Sequence, residues 1–240
     1  MNKIGVITDI HGNLEALTAV LRLLDEIGCD EILHLGDVVD IGPNSRECLE
    51  LLLSRKDVTC LLGNHDRDFV LRETSVRVMS HVPSEHKKQV FDSMGEQLRH
   101  AVERFPLYAE RVCGGQKLLF CHYALRNQPF DWNVYPFMPL QNQPTAEQFD
   151  EIFADVNADA VFFGHKHEPC DITGRLLYVD VGSVGCHRDP LARGVVIEYD
   201  DKSWSYRRVE TQYDAEKVRG NMLRKMYAGG ALYDYYFLHK

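Results

Sequence analysis

Short apolar segments alternate with amphipathic ones over the first third of the sequence, and this alternation constrains the fold more than any other feature. Ile4–Thr8, Glu31–Leu35 and Val58–Leu62 are typical of buried strands. Between them, Asn13–Ile27 and Ser45–Ser54 carry apolar residues at helical spacing. Because strands separated by helices connect through right-handed crossovers, this part of the chain predicts a largely parallel sheet.

The rest of the sequence predicts further helices and strands. Helices are expected at 84–103, 149–156 and 215–227, and strands at 107–112, 117–121, 160–163, 176–181, 194–199 and 204–209. The last three strands are separated by turn residues, which indicates antiparallel pairing. The sequence contains no internal repeats, linkers or charge blocks, so we assign residues 1–240 to a single domain.

Residues 123–145 lack a clean period and are rich in proline and aromatic residues. A long ordered loop of this kind is usually functional, so we expect a lid-like loop. Its side chains Trp132, Tyr135 and Phe137 could stack a nucleobase or could simply pack the loop down. The aromatic tail at 233–238 could likewise cover the core or form a dimer contact.

Charge and composition exclude several classes of protein. The formal net charge of -9 argues against binding to a nucleic-acid backbone. It leaves a small phosphorylated substrate open, because bound cations can reverse the local field. The sequence shows no apolar run of about 18 residues and no signal-peptide layout, which predicts a soluble, cytoplasmic protein that does not enter membranes. The 7 scattered cysteines fit reduced thiols.

Five of the predicted strands run directly into residue types that bind metal ions. These segments are Asp9-Ile10-His11, Gly36-Asp37, Gly63-Asn64-His65-Asp66, Cys121-His122 and Gly164-His165-Lys166-His167. Taken singly, an Asp after a strand is often a helix cap, and a Gly-Asp pair is often a turn. In an open α/β sheet, however, ligands gather at the carboxyl ends of the strands. Five such segments together therefore predict one shared site.

The residue types in these segments indicate which ions the site would take. Carboxylates and imidazoles with one amide suit Mn, Fe or Zn better than an all-oxygen calcium site. A carboxylate can also bridge two ions about 3.5–4 Å apart, the arrangement used for in-line phosphoryl displacement.

The whole series, in this order from residue 9 to residue 167, resembles the calcineurin-like metallophosphoesterase superfamily. The stretch Gly182-Ser183-Val184-Gly185 is similar to a subgroup of small bacterial phosphodiesterases and diadenosine tetraphosphatase-like members. The resemblance implies an α/β fold: two mixed β-sheets packed face to face and flanked by helices, in four αββα layers.

The resemblance also implies roles for individual residues. Asp9, His11 and His167 would hold one metal ion, Asn64, His122 and His165 would hold the other, and Asp37 would bridge the two. His65 would be the catalytic histidine, and Asp40 the carboxylate that orients it. Asp66 is a second candidate for that orienting role, although it could equally cap a helix.

The sequence does not single out one set of residues for binding the substrate. Ile41 follows Asp40 where the phosphoprotein-phosphatase branch usually has a phosphate-gripping arginine. Arg67 or Arg188 could substitute, although each could also be a surface ion-pair residue, and Trp132 is a candidate for stacking a base. Ser183 lies outside a G-x-S-x-G motif, so we expect a tight turn rather than a nucleophile there.

The function implied by the resemblance is hydrolysis of a phosphodiester or a nucleotide such as a dinucleoside polyphosphate. A metal-bridging hydroxide would attack in line, with His65 as the general acid. A phosphoprotein or small phosphomonoester phosphatase is the alternative within enzymes. A non-catalytic scaffold of the same fold is the alternative from another class, and it is disfavoured because every ligand type and His65 are present.

Overall fold

Two five-stranded β-sheets form the centre of this computed structural model, which describes residues 1–75, 82–140, 144–226 and 229–234. The first sheet contains β1 (Asn2–Ile7), β2 (Glu31–His34), β3 (Val58–Cys60), β9 (Leu191–Tyr199) and β10 (Trp204–Gln212), in the order β10-β9-β1-β2-β3. The second contains β4 (Tyr108–Cys113), β5 (Gln116–Cys121), β6 (Ala160–Phe163), β7 (Cys170–Thr173) and β8 (Leu177–Asp180), in the order β4-β5-β6-β8-β7.

Seven helices are present in the described residues. They are α1 (Leu14–Ile27), α2 (Ser45–Ser54), α3 (Asn64–Leu71), α4 (Ser84–Val102), α5 (Ala146–Ile152), α6 (Ala215–Lys225) and α7 (Gly229–Tyr233). The first helix begins and ends where the sequence predicts, since the Asn13 side chain accepts a hydrogen bond from the Ala16 N–H and Gly28 closes the helix at φ 76°. None of these helices is long and apolar enough to cross a membrane.

The apolar side chains divide into layers because successive strand residues point to opposite faces. Val6 and Leu33 of the first sheet face the second sheet, where they pack with Phe120 and Phe162. The opposite face of the first sheet packs against α1, α2 and α4. The outer face of the second sheet is covered by α5 and by part of the 123–138 loop. The predicted four-layer αββα arrangement of two mixed sheets is therefore confirmed.

The strand pairing agrees with the prediction only in part. β1, β2 and β3 are parallel neighbours, and β9 pairs antiparallel with β10, as expected. The predicted antiparallel pairing of the 176–181 strand with the strands that follow is wrong. β8 instead lies in the second sheet, parallel to β6 and antiparallel to β7. The β7 strand escaped sequence analysis because four residues, half of them exposed, give too short a pattern.

The C-terminal part of the chain packs near the candidate site. Val218 and Met222 of α6 cluster with Leu232 and Tyr233 of α7 around Ile41. The described part of the aromatic tail therefore covers apolar side chains, while residues 235–240 lie outside the described residues. Assignment of the chain to one domain stays a prediction.

Candidate dinuclear metal centre

The five ligand-bearing segments meet at one edge of the two sheets. Asp9 follows β1, Asp37 follows β2, Asn64 begins α3 after β3, His122 follows β5, and His165 follows β6. Backbone hydrogen bonds join these loops to one another: Asp9 N–H donates to Gly36 O, His11 N–H to Asp37 O and Gly164 N–H to His122 O, each at 3.0 Å. The convergence predicted from the strand ends is therefore present, although it involves both sheets.

Three of the predicted ligands form a first donor group. Asp9 Oδ1 lies 3.6 Å from His11 Nε2 and 3.3 Å from His167 Nε2, and the two imidazole nitrogens are 3.1 Å apart. All three atoms therefore surround one small volume.

Three other predicted ligands form a second donor group. Asn64 Oδ1 lies 2.9 Å from His122 Nε2, which in turn lies 3.1 Å from His165 Nδ1. Burial lowers the pKa of His165 to about 3, while the carboxylate of Asp37 outweighs the effect of burial at His122 and raises its pKa to about 9. Two buried imidazoles this close are unlike each other in charge state, because two neighbouring imidazolium ions would repel each other.

Asp37 lies between the two groups. Its Oδ2 is 3.8 Å from His11 Nε2 and 3.3 Å from His122 Nε2. Its Oδ1 accepts a hydrogen bond from the His65 N–H at 2.8 Å. The hydrogen bond to Oδ1 fixes the Asp37 side chain, and Oδ2 is left facing both donor groups.

These distances fit metal ions. Donor atoms about 2.0–2.1 Å from a shared ion lie roughly 3.0–3.4 Å from one another, close to the separations within each group. Asp9 supports the same conclusion, because its Oδ2 accepts hydrogen bonds from Thr8 Oγ1 and the His165 N–H. Its buried Oδ1 accepts none from the described residues. A buried carboxylate oxygen left in this way is suited to a cation.

The backbone around the donors is held in unusual conformations. Eight described non-glycine residues have positive φ, and five of them are predicted ligands: Asp9, His11, Asp37, His165 and His167. Such strain persists only where the surrounding structure imposes it, and it concentrates at functional sites.

The glycines before two of the ligands allow the carboxylates to approach. A Cβ on Gly63 would lie 2.1 Å from Asp37 Oδ1, and one on Gly164 would lie 2.5 Å from Asp9 Oδ2. The Gly-Asn and Gly-His pairs of the sequence are therefore required by close packing rather than by an ordinary turn.

His65 and Asp40 form a buried pair beside the donors. His65 Nδ1 lies 2.8 Å from Asp40 Oδ2, and the His65 ring stands edge-on to the His11 ring with centroids 4.9 Å apart. Burial opposes the charge of His65, but the carboxylates of Asp37 and Asp40 outweigh it and raise the pKa of the imidazole. Burial also opposes the charge of Asp40, yet the hydrogen bond and charge of His65 lower the pKa of Asp40 to about 2.

Asp66, the other candidate partner for His65, contacts backbone instead. Its two oxygens accept hydrogen bonds from the N–H groups of Asp37, Val38, Val39 and Gly63. The carboxylate therefore caps α3 and holds the loop after β2, which fits the capping alternative.

The three predicted substrate contacts occupy different environments. Arg67 is buried, donates to the Trp132 carbonyl and lies 5.9 Å from the centroid of the Tyr135 ring. Trp132 is half-buried against the helix-covered core of the first sheet. The Arg188 side chain is 68% exposed and lies 3.8 Å from Glu168. Their substrate-binding roles stay predictions.

The 123–140 part of the predicted lid is anchored at its base. Leu125 pairs with Phe137 in an isolated bridge, and the Phe137 ring packs against His122 and His165 at centroid distances of 5.4 and 6.4 Å. Phe137 thus packs against two predicted ligands, a contact that could not be inferred from the aromatic composition of the loop. The turn at Ser183 holds the β1 loop, since Ser183 Oγ donates to Asp9 O and accepts from the Cys186 N–H.

Comparison with known proteins shows the family to which the chain belongs. The profile of the calcineurin-like phosphoesterase superfamily domain matches residues 2–202. The chain is 32% identical over 238 residues to an uncharacterized protein of Methanocaldococcus jannaschii, covering 90% of each chain. A symmetrical bis(5'-nucleosyl)-tetraphosphatase of Pseudomonas fluorescens is 43% identical over 60 residues, which is 24% of this chain and 21% of that protein.

The fold has a close counterpart among solved structures. A metallophosphoesterase from Sphaerobacter thermophilus superimposes with a TM-score of 0.71 at 22% identity, covering 97% of this chain and 98% of that one. The chain belongs to the calcineurin-like phosphoesterase superfamily, as its sequence motifs predict.

Proposed function

We propose that this protein is a dinuclear metal-dependent phosphoesterase that cleaves a phosphodiester or a nucleotide-type phosphate, such as a dinucleoside polyphosphate. The observation that carries the proposal is the position of Asp37 Oδ2, between two donor groups and next to the buried His65–Asp40 pair. A carboxylate placed in this way can bridge two ions about 3.5–4 Å apart, as in two-metal sites.

Asp9, His11 and His167 would hold one ion, Asn64, His122 and His165 would hold the other, and Asp37 would be shared by both. When bound, two transition-metal ions, Mn, Fe or Zn, would supply positive charge that activates water and binds phosphate oxygens. His65 holds a proton near the leaving oxygen, and Asp40 keeps the imidazole oriented by accepting from Nδ1.

The choice of substrate class rests on two observations. The tetraphosphatase from Pseudomonas fluorescens shares a 60-residue segment with this chain, which favours a nucleotide. Ile41, adjacent to Asp40, is buried against α6 and α7, so this position offers no guanidinium for a terminal phosphate. The second observation disfavours a phosphoprotein phosphatase.

The test is an activity panel on purified protein with Mn²⁺ and with a chelator. It compares bis-p-nitrophenyl phosphate, p-nitrophenyl phosphate, a phosphopeptide and diadenosine tetraphosphate. We expect metal-dependent turnover with a higher kcat/KM for the diester or the dinucleotide. Preference for the phosphopeptide would support the phosphatase alternative, and no turnover by metal-loaded protein would support the scaffold.

Trp132→Leu should raise the KM for diadenosine tetraphosphate about tenfold with little change in kcat, if Trp132 stacks a base. The estimate follows from about 1–3 kcal/mol per stacked base. Leucine retains an apolar side chain for packing, so the flat ring is the main loss. Trp204→Leu, on β10, is the matched control. An unchanged KM would mean that Trp132 only packs the loop.

A further inference from the structure

A buried ion pair joins α3 to α4 and has no part in the chemistry proposed above. Lys87 Nζ on α4 lies 3.1 Å from Asp68 Oδ2 on α3, and the two side chains are 0% and 1% exposed. Lysine is almost never fully buried without a partner. Burial of an ion pair costs enough that apolar replacements are often equally stable.

The pair connects α4 to the helix that carries His65. Asp68 follows His65 by three residues on α3, so the two side chains lie on neighbouring positions of one helix face. An ion pair at this position fixes the first turn of α4 against the helix face from which His65 projects.

The residue next to Lys87 contacts the residue that follows Asp40. His86 is buried, and its Nε2–H donates to the carbonyl oxygen of Ile41 at 3.0 Å. Ile41 directly follows Asp40, and both residues have positive φ, 60° and 73° respectively. A strained backbone of this kind needs support from its surroundings.

The first turn of α4 therefore contacts both elements that carry the catalytic pair. We propose that Lys87 and Asp68 are positioning residues, which, together with His86, hold Asp40 Oδ2 within hydrogen-bonding distance of His65 Nδ1. The inference deepens the proposed function and rests on it for its kinetic consequences. The positive charge of Lys87 adds to this effect, since after His65 it also contributes to the low pKa of Asp40.

The test uses variants that separate stability from positioning. Lys87→Met removes the nearer of the two cations beside the buried Asp68 carboxylate and leaves only Arg67, whose Nη1 lies 3.8 Å from Asp68 Oδ1, so we expect a fall in melting temperature. Lys87→Met/Asp68→Asn removes both charges with little change in volume and should recover most of that fall. Lys88→Met/Asp92→Asn is the matched control, because it removes a neighbouring lysine–aspartate pair whose side chains are 70% and 42% exposed.

The kinetic readout is how kcat depends on the leaving group of the substrate. A misplaced general acid slows expulsion of an alkoxide but hardly affects p-nitrophenolate, which leaves without a proton. We expect the charge-free double variant to lose about tenfold or more in kcat on an alkyl diester, with a much smaller loss on bis-p-nitrophenyl phosphate. The surface control should match the wild type on both substrates.

A second readout does not need the metal-loaded enzyme. In metal-free, ¹⁵N-labelled protein, the Nδ1–H of His65 should give an exchange-protected signal, assigned by its loss in His65→Ala. We expect the signal to weaken or disappear in the charge-free double variant and to persist in the surface control. If that variant does not fold, Asp68→Asn alone supplies the comparison, because it keeps an oxygen for Lys87 Nζ.

The possible outcomes distinguish the two proposals. A charge-free variant with normal stability, an unchanged His65 signal and wild-type kcat on both substrates would overturn the positioning role. A wild-type protein that hydrolyses nothing would overturn the proposed function, while the His65 signal would still decide whether Lys87 and Asp68 position the pair.

Discussion

Asp37→Asn should empty both metal sites and lower turnover by about 10³-fold or more, since metal ions supply several kcal/mol of transition-state stabilisation. The substitution removes one negative charge and turns one of the two oxygens into an amide donor. If the remaining oxygen accepts from the His65 N–H, as Oδ1 does now, the NH2 group faces both donor groups. If the amide flips, the NH2 group opposes the His65 N–H instead. Neither orientation satisfies both requirements.

The measurement is metal content after gel filtration, by mass spectrometry, together with kcat on the best substrate of the panel. Asp9→Asn is the informative comparison, because Asp9 lies only in the His11–His167 group and should lose one ion rather than two. Retention of two ions with full activity in Asp37→Asn would refute the bridging role.

The meeting of five loops was predictable because of the geometry of parallel strands. Polar residues that follow β1, β2 and β3 must reach the same edge of one sheet. Sequence patterns cannot show that β5 and β6 belong to a second sheet, since pairing between sheets depends on the apolar faces that Phe120 and Phe162 present to the first sheet. The strand ends of the two sheets meet at one edge because the sheets pack face to face.

The distribution of ligand atoms could not be predicted from the sequence alone. The sequence predicts that Asp9 and Asp37 are carboxylate ligands. It does not show which oxygen of each side chain accepts hydrogen bonds from backbone or hydroxyl donors. Both residues also have positive φ angles, which local propensity disfavours. Here the global fold overrides the local preference.

The positioning role of Lys87 on α4 could not be predicted from its residue type. Lys87 lies one turn before Val90 and Phe91, on the buried stripe of the helix. The helical period therefore places it on the buried face, whereas a lysine in a polar helix is ordinarily assigned to solvent. A basic residue on an apolar stripe, with Asp68 on the preceding helix, is the signal that could have found the pair.

His65→Ala should leave both metal ions bound and lower kcat by about 10²–10⁴-fold, the usual contribution of a general acid. The imidazole directs Nδ1 at Asp40, and each proposed ion already has its donors without His65. The loss should be larger for an alkyl leaving group than for p-nitrophenolate. His100→Ala, which removes an exposed histidine of α4 that pairs with Glu103, is the control and should behave like the wild type.

Metal content decides between this role and a ligand role for His65. Donor atoms of His11, Asp37 and His65 also lie close enough together to hold an ion. Loss of one ion from His65→Ala would therefore make His65 a ligand and leave the reaction without this general acid. Retention of both ions, with a leaving-group-dependent loss of kcat shared by Asp40→Asn, would place the proton on His65, because only then does the partner of Nδ1 matter for the departing oxygen.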